Sequence, residues 1–101
     1  MQKHPLDELD LNAEIAKIHW HELQVHFARG RVIYIAPTLD LVDVAGQMLQ
    51  DNSAQIATLI EQGQIHAVTN AQAQQFYAHN PLLWAVVLPP WVLVQEIAKR
   101  Q

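Results

Sequence analysis

The stretch that decides the fold runs from residue 41 to residue 68 and reads LVDVAGQMLQDNSAQIATLIEQGQIHAV. Apolar residues at helical spacing predict one helix over 41–50, and a second helix follows at once and ends at Gly63. Residues 64–68 predict a short strand. Two short helices joined by a tight turn and followed by a strand have the order of a helix-turn-helix unit.

The charge of this stretch argues against the function that its shape suggests. The shape resembles the excisionase-type and mercury-regulator-type DNA readers, yet the sequence has no Lys or Arg between Arg31 and Lys99. Asp43, Asp51 and Glu61 lie within the predicted helix pair. A protein that reads duplex DNA gains most of its affinity by neutralising phosphates with Lys and Arg. We therefore expect no appreciable nucleic-acid binding.

Length and composition predict one small domain. The chain has 101 residues, a formal net charge of −4, 50% hydrophobic residues and only 16% charged residues. Residues 1–10 predict a flexible acidic leader, followed by one α+β domain at 11–101. Because the sequence has no cysteine, disulfides, thiolate catalysis and cysteine-based zinc sites are excluded. The longest apolar stretch, 82–94, is too short to span a membrane and contains Pro89-Pro90, so we expect a cytoplasmic protein without a membrane partner.

The flanking segments complete a predicted α+β fold. They are a long first helix at 11–28, a strand at 31–36, a helix from Thr69 to about His79, a strand at 82–88 and an extended segment at 91–96. We therefore expect a sheet of three to four strands packed with four helices, two of which form the helix-turn-helix-like unit.

Polar side chains at the helix starts predict several boundaries. Asp40 is expected to cap the helix that follows it, and Asp51 or Ser53 to cap the next one, because their oxygens can accept free N–H groups. Thr69 and Gln72 have the spacing of a capping box.

The predicted first helix carries the one constellation that could bind a metal. His19, Glu22 and His26 are three and four residues apart, which places them on one side of a helix. The alternative is structural: Glu22 falls within an apolar arc, is shielded from water, and pairs with Arg29 or with a histidine. One helix supplies at most three ligands, and no other segment offers a similar cluster. We therefore expect the structural role, no bound metal and no cofactor.

Three runs of sequence are distinctive. They are IxWxELxxHFARG at 18–30, LDLVxVA at 39–45, and LWAVV at 83–87 leading to PWVLVQE at 90–96. Together they resemble a family of small bacterial proteins that is known only as a domain of unknown function. The resemblance covers nearly the whole chain and implies a small cytoplasmic bacterial protein, but it implies no activity.

These observations predict a non-enzymatic interaction or regulatory module that forms a homodimer and binds a protein partner of unknown identity. The predicted first helix is apolar over more than half its circumference, and the C-terminal third is rich in Trp, Leu and Val without charge. Such a surface favours association, and Trp91 is the best interface candidate. Two alternatives are a metal-dependent activity that uses His19, Glu22 and His26, and a DNA-binding regulator.

Overall fold

The computed structural model describes residues 15–97, and these residues form five strands and four helices. In chain order the elements are β1 (Ala16–His19), α1 (Trp20–Ala28), β2 (Val32–Ile35), α2 (Leu41–Leu49), α3 (Ser53–Glu61), β3 (Ile65–Ala67), α4 (Asn70–His79), β4 (Leu82–Leu88) and β5 (Trp91–Glu96). The predicted α+β class with four helices is confirmed. The sheet has five strands instead of the expected three to four.

The five strands form one mixed sheet in the order β1-β4-β5-β2-β3. β2 and β5 run parallel, with Tyr34 opposite Val94, and the other neighbouring pairs are antiparallel. β4 and β5 form a hairpin whose turn is Pro89-Pro90, joined by a cis peptide bond. The predicted extended conformation of 91–96 is confirmed.

Helices pack against both faces of the sheet. Because side chains alternate along a strand, Leu83 and Ala85 of β4 join one core cluster, and Val86 and Leu88 join the other. The cluster under α1 and α4 consists of Trp20, Leu23, Val32, Tyr34, Val68, Ala73, Phe76, Leu83, Ala85, Val92 and Val94. The cluster under α2 and α3 consists of Ile35, Leu41, Val44, Ala45, Leu59, Ile65, Val86, Leu88 and Leu93. The sheet is thus the middle of three layers.

The first predicted helix is wrong at residues 16–19. Ala16–His19 form the edge strand β1, which pairs with the first residues of β4, and the helix begins only at Trp20. The backbone N–H of Trp20 donates to the carbonyl of Pro81 at 3.1 Å, so the chain leaves the sheet and enters the helix at that residue. Helical periodicity does not reveal this pairing, because Ile18 pairs with Leu83, 65 positions further along the chain, while the apolar spacing continues from β1 into α1. Residues 11–14 of that prediction, and the predicted leader at 1–10, lie outside the described residues.

The helix boundaries follow the predicted caps with one exception. The Asp40 carboxylate accepts hydrogen bonds from Val42 N at 3.0 Å and Asp43 N at 3.3 Å, which confirms it as the N-cap of α2. The capping box at the start of α4 is also confirmed.

The cap predicted for α3 is wrong. Asn52 occupies the N-cap position without a side-chain hydrogen bond, and Asp51 instead takes a left-handed conformation with φ of 58° that turns the chain. Gly63 adopts φ of 76° and ends α3 as expected. The order of α2, α3 and β3 is therefore the one that the sequence predicts. That these elements form a helix-turn-helix-like unit stays a prediction.

Candidate functional site

The helix α1 does not assemble the predicted metal-binding constellation. His19 is the last residue of β1 and the exposed N-cap of α1, Glu22 is exposed in the first turn, and His26 is half-buried in the last turn. Across residues 15–97, no group of three or more His, Asp or Glu side chains is placed to hold a metal ion.

The prediction that Glu22 is shielded from water is wrong. The side of α1 that packs on the sheet is formed by Trp20, Leu23 and Phe27, and Glu22 lies away from it on the helical wheel. The earlier start assumed for this helix widened the apolar arc and enclosed Glu22. Arg29 is exposed at the C-cap of α1, where its backbone N–H donates to the carbonyl of His26.

One histidine of α1 does have a structural partner. The backbone N–H of His21 donates to Asn80 Oδ1 at 3.0 Å, and its ring Nε2 lies 2.9 Å from the carbonyl oxygen of Tyr77. The rings of His21 and Tyr77 meet edge-on, with their centroids 4.8 Å apart. His21 therefore connects the start of α1 to the end of α4.

A polar pair lies on the α1/α4 side of the sheet. The buried Tyr34 hydroxyl donates to Glu96 Oε1 at 2.5 Å, and His66 stacks on the Tyr34 ring with the centroids 5.2 Å apart. Burial, and then the bond to the Glu96 carboxylate, raise the pKa of Tyr34 well above its usual range. Tyr34 is thus a neutral donor at physiological pH. Glu96 also borders an open cavity of about 610 Å³, where one of its oxygens is already occupied by Tyr34.

A second candidate site is a smaller cavity on the α2/α3 side of the sheet. Its volume is about 350 Å³, which falls within the range of small-molecule sites. It is lined by Ile15, Leu39, Asp40, Leu41, Val42, Trp84 and Gln95. Six of these seven residues belong to the LDLVxVA, LWAVV and PWVLVQE runs. The distinctive runs of the sequence therefore meet at one place in the structure.

Gln95 is the central polar side chain of this cavity. It lies in β5 and is only 8% exposed, and its Nε2 donates to the carbonyl of Ala36 at 2.9 Å and to that of Leu39 at 2.7 Å. Both amide hydrogens are thereby used, and their acceptors fix the orientation of the carboxamide. The Oε1 atom accepts no hydrogen bond from residues 15–97. It is also not among the side-chain atoms of that region that are both fully buried and without a partner. Gln95 is itself one of the residues that line the cavity.

Two further side chains give the cavity its chemistry. Trp84 contributes an aromatic wall, and Lys17 of the neighbouring strand places its Nζ 5.0 Å from the centroid of that ring. Asp40 contributes a carboxylate whose Oδ1 is used to cap α2. The cavity thus combines an apolar wall with acceptor oxygens. Sequence reasoning missed Gln95 as a site residue; its signal is an amide that directly follows four apolar residues in β5.

Together, the sheet between two helix layers and the cavity beside Gln95 define a small α+β domain with a candidate binding pocket. The chain belongs to the family described as "Protein of unknown function (DUF2288)", whose profile matches residues 8–96. The family resemblance noted in the sequence is therefore confirmed. The chain is similar to PA1075 from Pseudomonas aeruginosa, known from an NMR solution structure, at 35% identity and a TM-score of 0.79. That match covers 99% of this chain and 97% of the other. The comparison with curated proteins gave no match.

Proposed function

We propose that this protein is a non-enzymatic binding module, of the interaction or regulatory kind, and that the cavity beside Gln95 is its binding site. The observation that carries this proposal is the Oε1 atom of Gln95, a lining residue of the cavity, which accepts no hydrogen bond within residues 15–97. A polar atom that reaches a cavity from a nearly buried side chain is an acceptor held ready for a ligand, because leaving a polar group without a partner costs free energy.

The lining residues support binding rather than catalysis. Among the lining residues within 15–97, Asp40 is the only one with a charged side chain, and one of its oxygens already accepts from backbone N–H groups. Its lining residues include no histidine, lysine or hydroxyl that could act with Asp40 as a nucleophile or proton donor. General acid–base catalysis needs such a group within hydrogen-bond reach of the reacting atoms.

A fragment screen followed by NMR tests the proposed site. Fragments that bind should shift the side-chain amide signals of Gln95 and the indole N–H signal of Trp84, while Tyr77, on α4, should stay unshifted. Trp84→Ala removes the aromatic wall, so fragments should no longer shift the Gln95 side-chain amide signals in this variant. If fragments bind only at the cavity bordered by Glu96, or if none moves the Gln95 signals, the proposed site is wrong.

We further propose that the module forms a homodimer through the tip of the β4–β5 hairpin. Val87 is 57% exposed and Trp91 is 40% exposed on either side of Pro89-Pro90, which are exposed as well. The whole stretch from Gln62 to Gln95 carries no charged residue. An apolar and uncharged tip is a surface that association would remove from water.

Light scattering on a sizing column tests the homodimer. Val87→Asp should convert dimer to monomer, because it places a charge in the proposed interface. Ile60→Asp is the matched control: Ile60 is 53% exposed on α3, away from the hairpin, so this variant should stay dimeric. A monomeric mass for the unchanged protein at all concentrations would refute the proposal.

The two alternatives are less well supported by the arrangement of residues. A metal-dependent activity would need ligands that His19, Glu22 and His26 do not bring together. A DNA reader would need positive charge on α3, and the sequence from 53 to 61 has none.

A further inference from the structure

We infer that the ligand of the Gln95 cavity is a small cationic hydrogen-bond donor, namely a protonated primary amine on a short apolar chain. This inference rests on the proposed function, because it names the chemical class of ligand that the same cavity takes.

The first argument is that the lining side chains offer mainly acceptors. Gln95 presents Oε1, since its two amide hydrogens are held by Ala36 and Leu39. Asp40 presents Oδ2, for which no hydrogen bond occurs within residues 15–97, because its Oδ1 alone caps α2. The indole N–H of Trp84 is the one side-chain donor of the lining. A ligand that satisfies Gln95 and Asp40 must therefore donate.

The second argument concerns charge. Among the lining residues within 15–97, Asp40 alone is charged, and the Lys17 ammonium lies outside the lining, against the Trp84 ring. A protonated amine would meet the Asp40 carboxylate by a charge-assisted hydrogen bond, which is about twice as strong as a neutral one. A carboxylate or phosphate ligand would be repelled by it.

The third argument concerns the walls. Apart from Asp40 and Gln95, the lining residues are apolar: Ile15, Leu39, Leu41, Val42 and Trp84. The ring of Trp84 already attracts a cation, since the Lys17 ammonium lies 5.0 Å from its centroid. An alkyl chain fits the aliphatic side chains, and the volume of about 350 Å³ is near the lower end for small-molecule sites, so the chain is short.

The test compares three probes of nearly equal size: n-butylammonium, 1-butanol and butanoate. Each is titrated into the full chain while the Gln95 side-chain amide and Trp84 indole signals are followed by NMR. We expect n-butylammonium to bind about tenfold more tightly than 1-butanol, because the charge-assisted bond adds to the same alkyl contact. Butanoate should cause no shift at these two residues.

Two variants separate the effect of the Asp40 carboxylate from the effect of the protein's net charge. Asp40→Asn keeps an N-cap that helices accept and removes the charge from the cavity, so the preference for n-butylammonium over 1-butanol should disappear. Asp43→Asn makes the same charge change three residues away, outside the lining, and should keep the preference.

The outcomes distinguish this inference from the function on which it rests. Equal affinity for the three probes, or a preference that survives Asp40→Asn, would overturn the cationic class while leaving a ligand-binding cavity in place. A fragment screen that finds neutral or anionic binders at Gln95 and no cations would do the same. If neither the screen nor any probe shifts the Gln95 signals, both the inference and the proposed function are wrong.

Discussion

Replacing Gln95 with methionine gives the sharpest test of how the cavity is built. The two side chains are similar in length and flexibility, so the substitution mainly removes the two donated hydrogen bonds. Ala36 O also accepts from Leu39 N at 3.0 Å and therefore keeps one partner. Leu39 O loses the bond of 2.7 Å that Gln95 donates. The two losses are thus unequal.

The magnitude follows from these partners. The lost bond at Ala36 costs about 1 kcal/mol, and the carbonyl of Leu39 left without its donor costs about 1–3 kcal/mol. Methionine recovers some free energy through apolar burial, so the net loss of stability should be about 2–3 kcal/mol. For a domain of this size, that loss lowers the melting temperature by roughly 10–20 °C.

Thermal and urea unfolding followed by circular dichroism measure this loss. Gln55→Met is the matched control, because Gln55 is exposed on α3 and the change there should stay within about 0.5 kcal/mol. If Gln95→Met melts at the same temperature as the unchanged protein, the two hydrogen bonds do not hold the 36–39 segment, and the fixed orientation of Gln95 Oε1 is refuted.

Four further outcomes are expected. Tyr34→Phe should lower the free energy of unfolding by about 1–2 kcal/mol in urea denaturation, because it deletes the hydrogen bond to the partly solvated Glu96 carboxylate. An unchanged midpoint would contradict the structural role of the Tyr34–Glu96 pair. Glu22→Ala should change stability by no more than about 0.5 kcal/mol in the same assay, because Glu22 is exposed, and a larger loss would point to a partner. Labelled random-sequence duplex should not bind at micromolar protein in low salt, whereas binding that weakens steeply with added salt would reveal phosphate contacts. Elemental analysis of untagged protein should find far less than one zinc, iron or manganese per chain; near-stoichiometric metal that is lost on His26→Ala would revive the metal-dependent alternative.

Local signals in the sequence predict the elements that depend on neighbouring residues. Asp40, the Thr69–Gln72 capping box and Gly63 each act within three or four residues, and all three mark boundaries that the structure has. The apolar run at 82–88 likewise predicts β4, because a strand packed on both faces needs little polar alternation.

The parts that the sequence did not reveal depend on distant residues. β1 exists because it pairs with β4, while Ile15 and Ile18 continue the helical spacing of α1 and so conceal the strand. The error then spread to Glu22, since a helix assumed to start at 11 has a wider apolar arc than one that starts at Trp20. A mistake in one boundary thus became a mistake about burial.

The contacts that build the cavity also join residues that are far apart in the sequence. Gln95 donates to carbonyls that lie 56 and 59 positions earlier in the chain, so no local pattern shows that its amide is held in place. A buried amide normally needs partners for its oxygen as well as its hydrogens, because an unpaired polar group in the interior is costly. In Gln95 the hydrogens are bound, while the oxygen accepts no hydrogen bond within residues 15–97. The two donated bonds explain why an amide stabilises this position, and the proposed ligand would supply the donor that the oxygen lacks among those residues.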